Sequence, residues 1–161
     1  MIPATVSAKL NEQVRNEMDA SQKYLAIACQ FDGMGLKSLA AYFRKQTEEE
    51  REHALKIVDY LLEVGAEVKL AEIPAPQGAF PTVVAAIDAA VAHEQLVTRQ
   101  IHDLVALSEK EKDYATRSFL QWYVDEQVEE VSTMSQLAQV ARLAKDNLLQ
   151  LDGYVGRLLS K

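Results

Sequence analysis

Four long segments of the sequence repeat apolar residues at helical spacing, and each repeat is interrupted near its middle by an acidic residue. In one segment, the apolar positions on either side of the charged run 47–53 define an inward face that continues through Glu50 and His53. Residues three apart lie on one side of a helix, so both side chains take positions where a bundle ordinarily buries leucine. A buried, unpaired carboxylate is costly and requires a partner charge, a shifted pKa or a metal ion. The interrupting acids are Glu17, Glu50, Glu94 and Glu130.

The first two segments predict two long helices with a short connection between them. We expect Ser7 to cap the first helix, which runs to about residue 32 and is broken by glycines 33 and 35. We expect Ser38 to cap the second helix. That helix continues to about residue 64, and Gly65 is a suitable C-cap.

A long connection then separates the second helix from the third. Residues 66–80 contain two prolines and a glycine and cannot be helical throughout. Most loops in bundles span about 2–8 residues, whereas this one is long enough to travel the length of a helix and make helices two and three parallel. We expect Pro81 in the first turn of the third helix.

The remainder of the chain completes an all-α fold. A break at 108–113 leads into a fourth helix that ends near residue 143, and a shorter amphipathic segment over 144–161 predicts a fifth helix. Residues 1–161 are thus expected to form a single domain, with the four-helix bundle at 1–143. On the inward face of helix three we expect Val84, Ile87, Val91, Glu94, Thr98, Ile101 and Val105, and on that of helix four Phe119, Tyr123, Gln127, Glu130, Met134, Leu137 and Ala141.

Charge and cysteine usage limit the possible partners. The formal net charge of −7 and the absence of a basic cluster argue against nucleic acid. The single cysteine, Cys29, rules out an internal disulfide and is expected to be a small core residue. We find no secretory signal and no apolar run near the ~20 residues that cross a bilayer, so we expect a cytoplasmic protein without a membrane partner.

Acids at one depth in four helices favour a metal site. Like charges packed together repel strongly, and a cation would supply the opposing charge. Carboxylate, imidazole and amide groups suit iron, manganese or zinc, and the ligands suffice for two ions that share a bridging carboxylate. Two alternatives stay open: carboxylates that share protons or pair with buried bases, although no lysine or arginine falls on the inward faces, and a purely structural bundle without metal chemistry.

Four short motifs link these acids to a known family. They are residues 10–13 leading to Glu17, the run 49–54, residues 93–96, and the aromatic-rich run 119–127. Together they resemble the bacterial non-haem ferritins over nearly the whole chain. The resemblance implies a ferritin-like four-helix bundle with one long crossover and a short fifth helix. It also implies a ferroxidase that oxidises Fe²⁺ with O₂ or peroxide and stores iron as a ferric oxyhydroxide mineral in a homo-oligomeric, 24-subunit shell.

The resemblance also implies roles for individual residues. Glu17, Glu50 and His53 match the ligands of a first iron, and Glu50 would bridge to a second. The second iron would be held by Glu94 and Glu130, with Gln127 beside it. The family's accessory third iron site matches Glu49, Glu126, Glu129 and Glu130, and its aromatic neighbours of the centre, which donate electrons or simply pack, match Tyr24 and Trp122.

Two positions depart from related di-iron proteins. Gln127 and Glu130 stand where bacterioferritins carry a second Glu-x-x-His, so we expect the second iron to be bound more weakly. Arg51 stands where haem-binding bacterioferritins use methionine, so we expect no haem. A rubrerythrin-like di-iron peroxidase or iron-detoxifying protein is an alternative, but its cysteine-rich iron module cannot be built from one cysteine. A DNA-protecting mini-ferritin is disfavoured because no basic tail is present.

Overall fold

The computed structural model describes residues 2–161, and in that range the chain forms five α-helices and no β-strand. This confirms the predicted all-α bundle with one long crossover and a short fifth helix. No helix in the described range is long and apolar enough to cross a membrane. The helices are α1 (Ala4–Gly33), α2 (Lys37–Glu63), α3 (Val83–Lys110), α4 (Tyr114–Ala144) and α5 (Leu148–Leu159).

The first four helices form two hairpins, because short turns join α1 to α2 and α3 to α4 and each pair packs extensively. Gly35 adopts φ 83° in the first turn, a left-handed conformation that costs glycine little. In the second turn Lys112 takes φ 58°, and Asp113 caps α4 by accepting a hydrogen bond from Thr116 N at 3.0 Å. Gly65, with φ 70°, follows α2 as expected.

The crossover runs along α1 from its first third to its last turns. Near the start, the Asn11 side chain donates to Glu67 O at 2.9 Å and accepts from Lys69 N at 2.6 Å. At the far end, the Gln30 amide donates to Phe80 O at 2.9 Å and accepts from Phe80 N at 2.8 Å. Since α1 is antiparallel to α2, this path returns the chain to the end where α2 begins, and α3 runs parallel to α2 as predicted.

Three of the predicted helix starts are wrong. The first helix begins at Ala4, after Pro3, and Ser7 lies inside it, where its N–H donates to Pro3 O at 2.9 Å. Pro81 precedes α3 rather than joining its first turn. Thr82 is the cap of α3, and its hydroxyl accepts from Ala85 N at 3.0 Å.

The third wrong start is that of α2, whose cap comes from α5. Ser38 lies inside α2, and its own side chain caps nothing. The Asp152 carboxylate instead accepts from Ser38 N at 3.3 Å and from Leu39 N at 2.8 Å. Gly156 faces the same turn of α2, and a Cβ there would lie 2.8 Å from Ser38 Oγ, so that hydroxyl would have to rotate.

A polar layer divides the bundle core into two hydrophobic clusters. One cluster joins Tyr24, Phe31 and Phe43 to the N-terminal half of α3 and to α5, and the other joins Leu10, Ile57 and the C-terminal half of α3. The inward positions predicted for the first two helices, Glu17, Glu50 and His53, are buried, and the four predicted acids form the layer between the clusters.

Some predicted core positions are wrong. Cys29 is exposed. In α4, Leu120 is buried in place of Phe119, which is only partly buried. In α3 the predicted Ile87, Glu94 and Ile101 are buried, but the rest of the face is shifted by one residue. Val83, Ala90, Val97 and Leu104 are buried, while Val84, Val91, Thr98 and Val105 are partly exposed.

Candidate metal centre

The four predicted acids meet in the polar layer, one from each long helix. Glu17 and Glu94 are completely buried, Glu50 is 1% exposed and Glu130 is 6% exposed. His53 and Gln127 are buried in the same layer. Glu50 and His53 are one turn apart on α2, and Gln127 and Glu130 are one turn apart on α4, so each pair projects from one helix face.

Glu17, Glu50 and His53 form a group of metal-binding size. One ligand atom from each lies within 4.8 Å of the other two, and His53 Nδ1 is 3.5 Å from a Glu50 oxygen. Gln13 donates to Glu17 Oε1 at 2.8 Å and thereby orients that carboxylate. Glu17 Oε2 and both Glu50 oxygens are buried and have no hydrogen-bond partner within residues 2–161. Hard, unpartnered oxygens beside an imidazole fit a divalent or trivalent cation such as iron.

Glu94 lies in the same layer but has a different environment. Tyr24 donates its phenolic hydrogen to Glu94 Oε1. Gln127 Nε2 is 3.2 Å from Glu94 Oε2 and also donates to the Glu94 backbone oxygen and to Thr98. Both carboxylate oxygens therefore already accept hydrogen bonds, so an ion that binds Glu94 must displace or share a donor.

A second group joins His53 to α4. His53 Nε2 lies 4.0 Å from a Glu126 oxygen, and Glu130 completes a set whose ligand atoms lie within 4.8 Å of one another. The two nitrogens of one imidazole thus face two different sets of carboxylates. Sequence reasoning placed Glu126 only in the accessory site and missed its proximity to His53. The two residues are 73 positions apart, and no local pattern connects them.

The acids of the predicted third site line one cavity of ≈440 Å³ between α2, α4 and α5. Glu49, Glu126, Glu129 and Glu130 all border it. Glu49 accepts from Gln46 at 2.6 Å and lies 3.4 Å from Lys45 Nζ. Of these four acids, only Glu126 and Glu130 belong to a metal-sized group in the described part of the chain.

Burial makes these carboxyl groups reluctant to ionise. Loss of solvent raises the pKa of Glu17 well above its usual value, and the nearby Glu50 raises it further. Burial and the Glu94 charge raise the pKa of Glu50 in the same way. Burial is the largest cause that raises the pKa of Glu94, and it raises that of Glu130 to about 8, with Glu94 and Glu49 adding to it. A bound cation would offset both the lost hydration and the mutual repulsion.

Aromatic side chains enclose the His53 end of the centre. Trp122 packs edge-on to the imidazole, with 5.3 Å between the ring centroids, and is 38% exposed. Lys56 Nζ lies over the Trp122 ring, 4.2 Å from its centroid. Tyr123 donates to His53 O at 2.7 Å and so fixes the local backbone of α2. Neither Gln13 nor Tyr123 was singled out as a site residue, although Gln13 lies one turn before Glu17. Arg51 is exposed.

Known proteins share this sequence pattern and fold. The model of the ferritin-like domain family matches residues 7–144. A protein named Ferritin BfrB from Mycolicibacterium smegmatis is 40% identical over 153 residues, which cover 95% of this chain and 84% of the relative. A bacterial non-heme ferritin from Staphylococcus haemolyticus is 38% identical over 133 residues, which cover 83% of this chain and 80% of the relative. The solved structure of an open-pore ferritin from the hyperthermophilic archaeon Archaeoglobus fulgidus has a TM-score of 0.94, 37% identity and 96% coverage of both chains.

Proposed function

Because the chain belongs to the ferritin family, we propose that it is an iron-storage ferritin that oxidises Fe²⁺ to Fe³⁺ at the carboxylate layer of its bundle. The observation that carries the proposal is the group Glu17, Glu50 and His53, whose buried oxygens lack hydrogen-bond partners within residues 2–161. Fe²⁺ is the substrate of this centre, and a ferric mineral inside a protein shell is the stored product.

In this proposal Glu17, Glu50 and His53 bind the first ferrous ion. Glu50 bridges to a second ion, which Glu94 and Glu130 bind with Gln127 beside them. The difference in hydrogen bonding supports an order of binding. Glu50 offers two unpartnered oxygens, whereas an ion at Glu94 must displace or share the donors from Tyr24 and Gln127. The second ion is therefore held more weakly, which suits iron that moves on to a mineral.

The chain contributes proximity and charge to the reaction. Two Fe²⁺ ions together supply two electrons, which with two protons reduce O₂ to H₂O₂ or H₂O₂ to two water molecules. Hard carboxylate ligands bind Fe³⁺ more strongly than Fe²⁺ and so favour the oxidised product. Carboxyl groups whose pKa is raised release their protons when iron binds, so the centre can provide protons that the reduction consumes.

We propose that iron moves from the di-iron centre to the acids of the third site. Glu130 borders both the centre and the acid-lined cavity, and Glu126 is shared between His53 and that cavity. A ferric ion released from Glu130 therefore meets further carboxylates within the same cavity. Tyr24 and Trp122 are proposed as electron donors to the centre, since Tyr24 bonds to Glu94 and Trp122 packs on His53.

Storage further requires an assembled shell, and we propose a homo-oligomer of 24 subunits. Leu149 on α5 and Leu143 near the end of α4 are 82% and 81% exposed in the single chain. Large exposed apolar side chains next to a docked helix are typical of surfaces that neighbouring copies cover. One similar solved structure is described as an open-pore ferritin. Electron microscopy of the assembled protein tests the proposal, and shells of 24 subunits are the expected result.

The decisive experiment is a stopped-flow titration of iron-free protein with Fe²⁺ in the presence of O₂ or, separately, peroxide. A fast phase that saturates near two irons per chain is expected, followed by slower uptake far beyond that ratio. A fast phase without further uptake would support the alternative of an iron-detoxifying peroxidase. Oxidation no faster than in protein-free buffer would refute the ferroxidase proposal and leave a structural bundle.

A further inference from the structure

The aromatic residues beside the metal centre continue as a row of packed rings toward the last turn of α2. Trp122 packs on His53 and lies 4.9 Å from Tyr123 between ring centroids. Phe119 lies 5.6 Å from Tyr123 and stacks on Tyr60, with 4.0 Å between the centroids and 9° between the ring planes. Together these rings form what we term the aromatic chain, Trp122, Tyr123, Phe119 and Tyr60. Electrons tunnel readily between packed aromatic rings, so the chain offers a path from Tyr60 to the His53 imidazole.

The hydroxyl group at the end of the aromatic chain has a directed path for its proton. Tyr60 Oη lies 2.9 Å from Thr116 Oγ1. The Thr116 hydroxyl has a single hydrogen and donates it to Asp113 Oδ2 at 2.6 Å, the length of a hydrogen bond to a carboxylate. Tyr60 must therefore donate to Thr116, because the threonine has no second hydrogen to give. A proton that leaves Tyr60 can pass to Thr116 while the proton of Thr116 passes to Asp113.

The other redox-capable members of the aromatic chain are less suited to hold a radical. A phenol becomes strongly acidic when it loses an electron, so a tyrosine is oxidised most easily where a base takes its proton. The Tyr123 hydroxyl donates to the backbone oxygen of His53 at 2.7 Å, and a peptide oxygen is a far weaker base than a carboxylate. Lys56 Nζ lies over the Trp122 ring, and its positive charge disfavours a cationic radical there. A radical formed in the chain should therefore come to rest on Tyr60.

From this geometry we propose that Tyr60 is a redox-active residue that passes an electron along the aromatic chain to the metal centre and its proton through Thr116 to Asp113. This role rests on the proposed ferroxidase, whose peroxide substrate is the oxidant. It adds a third electron donor, which refills Trp122 and which sequence reasoning did not single out. Tyr60 and Phe119 belong to different helices, 59 positions apart, and no local pattern joins them.

The electron from Tyr60 completes a reaction that one iron ion cannot complete alone. Reduction of H₂O₂ to two water molecules takes two electrons and two protons, and a single Fe²⁺ ion supplies one electron. Without a second electron, the O–O bond breaks into hydroxide and a hydroxyl radical. When Tyr60 supplies that electron, its O–H bond breaks and Asp113 gains the proton. The products are Fe³⁺, the Tyr60 phenoxyl radical and two water molecules, with two protons taken from solvent. Because the second iron is bound more weakly, the aromatic chain protects centres that hold one ion.

The test is pulse radiolysis of the assembled, iron-free protein in azide solution, since azide radicals oxidise tryptophan in preference to tyrosine. Trp122 is the only tryptophan of the chain, so the starting point of the transfer is known. We expect the visible absorption of the Trp122 radical to decay as the band of a tyrosyl radical grows. Tyr60→Phe keeps the ring and should slow this transfer at least ~10-fold, the effect of about 1.4 kcal/mol of barrier. Tyr114→Phe, a 72% exposed tyrosine outside the aromatic chain, is the matched control and should transfer like wild type.

The proton path has its own variant. Asp113→Asn still caps α4 but removes the proton acceptor, so it should slow the transfer while the thermal midpoint stays near wild type. It should also change the solvent deuterium isotope effect on the transfer, which a purely structural role of Asp113 would leave unaltered. Asp103→Asn, an exposed acid on α3, should alter neither quantity. Transfer at the wild-type rate in Tyr60→Phe, or in Asp113→Asn, would overturn the proposal.

A measurement with iron links the aromatic chain to the metal centre. With one Fe²⁺ ion per chain and an equal amount of H₂O₂, wild type should give the electron paramagnetic resonance signal of a tyrosyl radical. Tyr60→Phe should lose most of this signal and release more hydroxyl radical to a spin trap. Equal hydroxyl radical release from both proteins would contradict the protective role. Transfer in iron-free protein is independent of the ferroxidase, so failure there leaves the ferroxidase intact, and failure of the Fe²⁺ titration leaves the transfer measurable.

Discussion

The buried acids at the centre of the bundle differ in what their oxygens already contact. Glu17 and Glu50 expose three unpartnered oxygens to one another and to His53, whereas Glu94 accepts from Tyr24 and Gln127. The first arrangement is costly without a cation, and the second is satisfied without one. We therefore expect substitutions of Glu50 and its neighbour His53 to weaken iron binding more than substitutions elsewhere in the layer.

We therefore expect Glu50→Ala and His53→Ala each to slow the fast phase of Fe²⁺ oxidation by at least ~10-fold, because loss of a ligand weakens metal binding. Absorbance of the ferric product in a stopped-flow instrument measures the rate. Glu52→Ala, which removes an exposed acid from the same helix, is the matched control and should match wild type. Rates equal to wild type in the two centre variants would show that the assigned centre is wrong.

The raised pKa of Glu130 predicts how pH affects the metal-free fold. Unfolded Glu130 ionises near pH 4.5, but folded Glu130 ionises near pH 8, so between these values the folded state retains a proton that the unfolded state has lost. Stability from this group is thus full below about pH 4.5 and is lost as pH rises toward 8. Glu130→Gln avoids the ionisation, and its thermal midpoint should rise relative to wild type as pH increases from 5 to 8.

The measurement is a set of calorimetric scans in the presence of a chelator. Each kcal/mol of difference corresponds to about 2–4 °C in a chain of this size. Glu52→Gln supplies the control and should differ from wild type by the same amount at both pH values. A Glu130→Gln difference that stays constant from pH 5 to 8 would contradict the proposed environment of this carboxyl group.

At the scale of single elements, α5 is held by a specific polar contact as well as by apolar packing. Leu151 and Val155 are buried against the bundle, while Asp152 accepts from two backbone N–H groups of α2. A carboxylate at a helix N-terminus satisfies exposed donors and is favoured by the helix dipole. The start of α2 and the position of α5 therefore depend on one another.

Asp152→Ala should lower the free energy of unfolding by about 1 kcal/mol, the usual effect of losing a cap. It should also speed hydrogen exchange at the amides of Ser38 and Leu39, which mass spectrometry after proteolysis can measure. Asp146→Ala removes an exposed acid just before α5 and should change neither quantity. If exchange at these two amides is unaffected by Asp152→Ala, the interhelical cap is not formed.

The elements also show why helical spacing identified the buried acids correctly and failed at other positions. Helical spacing placed Glu17, Glu50, Glu94 and Glu130 inward because the apolar residues around each acid define a face without ambiguity. In α3, however, the neighbouring rows Val83–Ala90–Val97 and Val84–Val91–Thr98 are both largely apolar, so the pattern cannot choose between them. The cap of α2 was missed because its carboxylate is 113 residues away along the chain.

At the scale of the whole molecule, the crossover and α5 complete surfaces that the four long helices leave open. The crossover follows α1 through side-chain contacts from Asn11, Arg15 and Gln30, and its last residues line a cavity between α1 and α3. The fifth helix borders the acid-lined cavity near Glu129 and Glu130. The crossover and α5 therefore both line cavities next to the carboxylate layer, although the four acids of that layer belong to the four long helices.

Deletion of residues 145–161 should lower shell assembly and mineral capacity while leaving part of the fast Fe²⁺ oxidation, because the centre itself lies in the four long helices. Light scattering after size exclusion measures assembly, and iron loading per chain measures capacity. Asp152→Ala, which loosens α5 without removing its apolar residues, is an informative comparison. Normal shells and normal capacity in the deleted chain would contradict the proposed role of α5.

The cap that Asp152 provides also has a consequence during protein synthesis. The ribosome synthesises α2 before α5. The backbone N–H groups of Ser38 and Leu39 therefore exist before the Asp152 carboxylate that accepts their hydrogen bonds. A nascent chain interrupted before residue 152 contains the four acids of the layer, but Ser38 N and Leu39 N lack this carboxylate. The start of α2 can therefore be capped in this way only after residue 152 has been synthesised, within the helix that is proposed to join neighbouring copies.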